Sequence, residues 1–486
     1  MIALTLAEVA RATGGRLEVP SGVRPDAVVV DGPVVTDSRE AGPGSLYVAR
    51  LGEHADGHDF VAGAVERGAV AALVSRPVEG VPCVVVDDTE LAFGALAREV
   101  VARVPGLAVV GITGSSGKTS TKDLLGTVLA GAGPTVAPVG SYNSEIGVPL
   151  TVCRVTSGTR FLVVEMGARG IGHVAHLARV APPRVGVVLN VGTAHVGEFG
   201  SRAAIATAKA ELVAALPADG VAVLNADDPV VRDMAAVTTA RVVLVGEAED
   251  AQVRAGDVEL DAGGRPTFTV HAPQGTRVVR LGLVGRHHVG NALAVLAVAT
   301  ELGMPFEEVC AALESARPVS RWRMEVVERA DGVTLVNDAY NANPDSMRAA
   351  LAALERMGQG RRTWAVLGTM LELGDESEVL HAQVGADVVA HGVDELVVVG
   401  EAAAALAAGA RDAFDHPATS GRSGVPTPDL PDVGGTRVRT VPDADAAHDL
   451  LDTELRPGDV VLFKSSRDAG LRLLGDRLAG QREDLT

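Results

Sequence analysis

Lys118 and Thr119 close the run Gly114-Ser-Ser-Gly-Lys-Thr119. It directly follows the apolar stretch Ala108-Val-Val-Gly-Ile-Thr113 and directly precedes a helical pattern with Leu124, Leu125 and Val128 on one side. Small residues between a strand and a helix let backbone N–H groups close around phosphate oxygens, and the helix N-terminus favours their negative charge. In that setting the Lys118 amine would meet the outer phosphates of a nucleoside triphosphate, and the Thr119 hydroxyl would sit on Mg²⁺. Ser115, Ser116, Gly117 and Ser120 complete the loop. The usual eight-residue pattern has glycine six places before the lysine; Ile112 stands there, leaving the shorter G-x-x-G-K-T. An ordinary Gly-rich turn is the bland alternative, and it leaves the Lys-Thr pair at the helix start unexplained.

Lysine is scarce in this chain. Only Lys118, Lys122, Lys209 and Lys464 occur, and the other 39 of 43 basic residues are arginine. A guanidinium is planar and effectively always protonated, so a lysine in such a chain points to a need for an amine. Lys122 is expected to be the exception, a surface residue. Lys209, in Ala206-Thr-Ala-Lys-Ala-Glu211, reads by itself only as a helix lysine, a residue type that faces solvent as a rule. Among acidic residues, Glu165 ends the strand-like Phe161-Leu-Val-Val-Glu165, where a Mg²⁺ ligand or a helix cap is expected. His195 follows the strand-like Val185–Val191, and by itself a lone histidine is more often structural. Thr36-Asp-Ser-Arg39 offers hydroxyls and a guanidinium to a phosphate or a uracil-like ring; a capped turn explains it equally well.

Short apolar runs alternating with helical segments must position these groups, which predicts an α/β protein. A length of 486 residues suits about three domains. Residues 1–106 read as a small N-terminal α/β domain with strands at Val28–Val30, Ser45–Ala49, Val70–Val74 and Val84–Val86. Residues 107–316 read as a central domain with a mostly parallel sheet covered by helices on both faces. Its β-hairpins fall at 253–284 and an apolar helix at Ala292–Leu302. Residues 317–486 read as a Rossmann-like α/β domain. Within it, Pro, Gly, Asp and Ser predict a mobile surface loop over about 411–437.

Composition narrows the classes. At 47% hydrophobic and 22% charged the chain is globular, and a net charge of −19 argues against nucleic-acid or anionic-membrane binding. Cys83, Cys153 and Cys310 show no metal or disulfide spacing, which suits a reducing cytoplasm. No leader pattern and no long apolar span is evident.

The motifs together resemble the Mur ligases, the ATP-dependent amide-forming family of peptidoglycan precursor synthesis, over essentially the whole chain. Thr113–Thr119 matches the family's short phosphate loop. Asn337-Asp-Ala-Tyr-Asn-Ala-Asn-Pro-Asp-Ser346 matches the branch that joins D-alanyl-D-alanine to UDP-N-acetylmuramoyl-tripeptide. Supporting runs are Asn143–Leu150, Leu189–His195 with Gly197–Ser201, and Leu371-Glu-Leu-Gly374. Ser141, Ser144 and Thr369 depart from the family pattern.

The resemblance implies ATP and two Mg²⁺, with Thr119 and Glu165 holding one and His195 helping to hold the second. It implies that Lys209 is carbamylated by CO₂. It puts Asn291 at the adenine, Asp338 at the ribose and Arg323 at the γ-phosphate. Lys118, His195, Lys209 and Arg323 would serve the chemistry. Thr36, Ser38, Arg39, Asn143, Asn341, Asn343, Lys464 and Arg467 would contact the UDP-linked tripeptide or the dipeptide. The enzyme is expected to act as a monomer and to complete its site on domain closure, since Arg323 and Asp338 lie outside the domain of Lys118. A sister ligase adding a single amino acid, a folate or cyanophycin-type ligase, and a regulatory P-loop ATPase are the competing readings.

Overall fold

A computed structural model of the chain describes residues 1–52, 55–192, 196–415 and 435–481. Its architecture is α/β, with three main sheets and one two-stranded ribbon. The N-terminal sheet runs, in spatial order, Arg16–Glu18, Cys83–Val85, Ala71–Val74, Leu46–Val48 and Val34–Val35. The expected strand at Val28–Val30 does not join it. Val29–Val30 pairs instead with Leu4–Thr5, antiparallel, with Val30 buried and Val29 exposed, as suits a ribbon covered on one face.

The central sheet has nine strands. Ala108–Thr113 lies between Phe161–Glu165 and Val185–Val188, parallel to both. Register places Glu165 opposite Ile112 and Val188 opposite Thr113, so these strands all end at the edge where the Gly114–Thr119 loop begins. The continuous apolar runs follow from burial on both faces. Val110, Ile112, Val163 and Val187 pack with the helices Lys118–Ala130 and His288–Glu301. Their strand neighbours Val109, Leu162, Val164 and Val188 face the other way, onto His173–Val180 and Arg202–Ala214. That second core also takes in Leu4, Phe93, Leu96 and Val100, so apolar packing runs from the N-terminal residues into the central unit without a break. The strands Val253–Leu260, Pro266–Ala272 and Gly275–Arg280 form the predicted hairpins at the sheet's far edge.

The third sheet orders Glu325–Glu328, Thr334–Asn337, Val460–Lys464, Thr363–Leu367, Glu395–Val399 and Arg437–Val441, all parallel except the first pair. The loop expected over 411–437 is narrower than composition suggested, because the helix Ala404–Asp415 continues through its first residues and a strand opens at Arg437. Residues 416–434 lie outside the described residues.

Two glycines set how closely the central and C-terminal units approach. Gly197 N–H donates to Glu372 O at 3.2 Å. A Cβ on Gly197 would lie 2.3 Å from Gly374 N and 2.7 Å from its Cα. Alanine is otherwise favourable in the short helix Val196–Phe199. Gly197→Ala is therefore expected to hold the two units apart, raising the radius of gyration in small-angle scattering while the melting temperature changes little. An unchanged radius would show that the contact yields.

Candidate active site

The Gly114–Thr119 loop is shaped by one glycine and braced by one asparagine. Gly117 adopts φ +79°, and a Cβ there would approach Asn291 Oδ1 to 3.0 Å, so both conformation and space require glycine. Asn190 accepts the Ser115 N–H on its backbone oxygen at 3.1 Å and the Ser116 N–H on Oδ1 at 2.9 Å. These two amides are thus turned to protein. The helix Lys118–Ala130 leaves the N–H groups of Lys118, Thr119 and Ser120 without intrahelical acceptors, and these point to where phosphate oxygens would lie. Asn190 had no assigned role in the sequence; its place at the C-terminal end of a strand beside the loop was the available signal.

Lys118 Nζ donates to Gly114 O at 2.7 Å. Burial lowers its proton affinity, Glu165 opposes that and Arg323 adds to it. Glu165 is fully buried. Its Oε2 accepts from Ser141 Oγ at 3.0 Å, and Ser141 Oγ also accepts from Asn143 Nδ2 at 3.1 Å. Its Oε1 has no hydrogen-bond partner, which is costly for a carboxylate unless something fills the space. Among the described residues no three His, Cys, Asp or Glu side chains stand close enough to hold a metal by themselves. The donor set of Glu165 and Thr119 fits a hard cation that takes its remaining oxygens from phosphate and water, as Mg²⁺ does. His195 lies outside the described residues.

The opposite wall comes from the third sheet. Arg323 Nη2 donates to Thr119 Oγ1 at 3.2 Å, joining the two units across the cleft. Its guanidinium lies 4.4 Å from the Tyr340 ring centroid, and its buried Nε has no partner. Trp322 and Met324 flank it at φ +59° and +50°, a conformation side-chain-bearing residues rarely adopt. Trp322 N–H donates to Glu325 at 2.9 Å and Met324 N–H to Asp338 at 3.1 Å, which holds the turn. Lys464 was expected to approach substrate. Its side chain is only 2% exposed and pairs with Asp338 Oδ2 at 2.5 Å, and it also donates to Asn341 O at 3.2 Å. Breaking such a buried pair from one side costs about 3–5 kcal/mol, so Lys464 is a brace for Asp338 and its loop. Asn343 is likewise occupied, capping the helix Pro344–Met357 through Ser346 N–H at 2.9 Å. Asn341 and Arg467 are exposed at the cleft, Arg467 with its guanidinium 5.8 Å from the Tyr340 ring.

These walls enclose a cleft of about 410 Å³ lined by Ser115–Ser120, Ser141, Asn143, Asn291, Arg323, Asp338, Tyr340, Lys464 and Arg467. A second cleft of about 490 Å³ shares Asn190, His287 and Asn291 and continues between Asn225 and the small side chains of Ala349, Ala352 and Ala353. Thr36, Ser38 and Arg39 are not brought to either. Arg39, 83% exposed, is paired with Asp37, whose carboxylate also caps the Ser38–Glu40 turn.

Two lysines depart from their surface expectation. Lys209 is buried in Arg202–Ala214, and Lys122 is fully buried. Burial, helped by nearby Lys118, pushes Lys209 well below the usual lysine range. The unfolded chain therefore binds a proton that folded Lys209 does not, between the depressed value and the ordinary one. Stability contributed at this site is lowest below that window and rises with pH through it. Lys209→Met is expected to melt at higher temperature than wild type at pH 7 in bicarbonate-free buffer, with the gap closing toward pH 10. A gap that does not depend on pH would remove the buried amine as its cause.

Comparison with known proteins accords with this geometry. Residues 33–106 match the Mur ligase family catalytic domain, 112–299 the Mur ligase middle domain and 322–467 the Mur ligase glutamate ligase domain. The chain is 48% identical to the UDP-N-acetylmuramoyl-tripeptide–D-alanyl-D-alanine ligase of Mycobacterium tuberculosis, over 98% of both chains. It is 38% identical to that of Escherichia coli over 84% of this chain and 88% of the relative. The crystal structure of MurF from Acinetobacter baumannii superposes with a TM-score of 0.84 at 31% identity, covering 99% of each chain. MurF from Thermotoga maritima in complex with ADP gives 0.77 at 29% identity, covering 93% of this chain and 98% of that one. With family matches on all three sheets and near-complete coverage by these relatives, the chain belongs to the Mur ligase family.

Proposed function

We propose that this chain is an ATP-dependent ligase that joins D-alanyl-D-alanine to UDP-N-acetylmuramoyl-tripeptide, forming the UDP-muramoyl-pentapeptide of peptidoglycan synthesis with release of ADP and phosphate. The observation that carries the reading is the cleft in which Arg323 from the third sheet meets Thr119 of the phosphate loop. The high-identity relatives supply the substrate names.

The reaction must bring a carboxylate against a triphosphate, and like charges repel. Lys118, Arg323 and the first-turn amides of Lys118–Ala130 supply fixed positive potential at that point. Thr119 and the unpartnered oxygen of Glu165 would hold Mg²⁺, which when bound neutralises charge on the β- and γ-phosphates. The tripeptide carboxylate attacks the γ-phosphorus, the bond to the β-phosphate oxygen breaks, and an acyl phosphate results. The amine of D-alanyl-D-alanine then attacks the acyl carbon, loses its proton, and phosphate leaves. No protein nucleophile takes part.

The second cleft, with Asn291 at its edge, suits the adenosine half of ATP. Asp338, fixed by Lys464, would receive the ribose. The residue ranges 1–106, 107–316 and 317–486 would serve the UDP-linked substrate, ATP and the dipeptide respectively, with Asn143, Asn341 and Arg467 at the peptide ends. Lys209 suits carbamylation, which needs an amine that is neutral part of the time, and burial favours that state. A cytoplasmic setting follows from ATP and UDP-linked substrates and accords with three unpaired, buried cysteines.

The purified enzyme is expected to release ADP only when UDP-N-acetylmuramoyl-tripeptide and D-alanyl-D-alanine are both present, and to be far slower with any single amino acid as acceptor. ATP turnover that ran equally without them would favour a regulatory ATPase. Lys209→Ala is expected to lose nearly all turnover and to regain part of it with short-chain carboxylic acids; full activity in that variant would exclude the carbamate.

A further inference from the structure

Lys122 lies on the helix that leaves the phosphate loop and is 0% exposed. Its Nζ donates to Pro138 O and, at 2.9 Å, to Gly140 O, and pairs with Asp123 Oδ1 at 2.6 Å. Three acceptors converge on one ammonium, which has three N–H groups to give. A planar guanidinium could not serve three acceptors gathered around a point, which explains a lysine in a chain that otherwise uses arginine.

The contacts close into a ring. Asp123 Oδ2 accepts the Ser320 N–H at 3.1 Å, and Ser320 Oγ accepts the Gly140 N–H at 3.1 Å. Ser320 and Lys122 are both buried. The ring thus ties the phosphate-loop helix to the loop at 138–143 and to the linker at 317–324. Each tie leads into the cleft. Ser141, next to Gly140, holds Glu165, and Arg323, three residues beyond Ser320, reaches Thr119.

We propose that Lys122, Asp123 and Ser320 are positioning residues that make two binding events reinforce each other: the UDP-linked substrate at the loop around Asn143, and nucleotide beneath Arg323. This rests on the ligase reading above. Fixing the 138–143 loop fixes the acceptor and donor of Ser320, and Ser320 in turn fixes where the Arg323 turn starts. A buried ion pair with shared carbonyls is intact or broken rather than graded, because one lost partner leaves a charge uncompensated. Coupling of this kind is reciprocal: each ligand raises the affinity of the other by the same factor.

The test is calorimetric titration of ADP with Mg²⁺, with and without saturating UDP-N-acetylmuramoyl-tripeptide, for wild type, Ser320→Ala and Asp123→Asn. In wild type the UDP substrate is expected to tighten ADP binding at least about fivefold, within the usual range of coupling between sites. In Ser320→Ala that factor should fall to about one while affinity for ADP alone stays within about twofold of wild type. Ser320→Ala removes a single hydroxyl and keeps the buried ion pair, so it remains informative if Asp123→Asn fails to fold. A merely structural role would lower the melting temperature and leave the coupling factor intact. Coupling undiminished in Ser320→Ala, or none in a wild-type enzyme that binds and turns over both substrates, overturns the proposal. A wild type that does not bind the UDP substrate removes the ligase reading and this inference with it.

Discussion

The hydrogen bond from Arg323 to Thr119 is the contact on which the rest of the molecule depends, because its two ends belong to different sheets. Thr119 stands where it does because a buried parallel strand ends in a glycine loop beside Glu165. Arg323 stands where it does because Trp322 and Met324 accept an unfavourable backbone conformation, held by Glu325 and Asp338. Neither sheet alone offers a site for transferring phosphate. Together they place a guanidinium, an ammonium and a carboxylate with one unpartnered oxygen around a cleft that a triphosphate could fill.

Much of the cleft's central wall was legible in the sequence. The continuous apolar run Ala108–Thr113, the Lys-Thr exit and Glu165 at a strand end depend only on local order, and parallel register then brings those strand ends together. What the sequence does not display is how side chains are spent once they meet. Lys464 and Asn343 looked like substrate ligands because they sit in motif loops. In the structure one neutralises Asp338 and the other caps a helix. Ser141, a departure from the family pattern, is the hydroxyl that Glu165 accepts from.

The two buried lysines show the same limit from the other side. Helical spacing puts Lys209 in line with Ile205, Leu212 and Val213, and Lys122 in line with Leu125 and Leu129, yet residue type alone made both read as surface lysines. Their burial is a tertiary fact, created for Lys122 by carbonyls of a loop at 138–140 and for Lys209 by packing against the central sheet. Lysine scarcity singled out Lys209 and Lys122 was discounted, but the structure buries both. Val28–Val30 misled for a related reason: β-branched residues predict an extended strand without naming the partner it will find.

Lysine scarcity has a chemical consequence beyond positioning. None of the four ε-amines stands on the solvent face: Lys122, Lys209 and Lys464 are buried and Lys118 is half-buried at the cleft. Solubility and surface charge are left to arginine and carboxylates. Reagents directed at lysine amines meet only Lys118, in the cleft, and enzymes that acetylate or ubiquitinate lysines meet none on the outer surface of this folded protein. Modification of Lys118 would report whether the cleft is filled, and modification of the other three the opening of the interior.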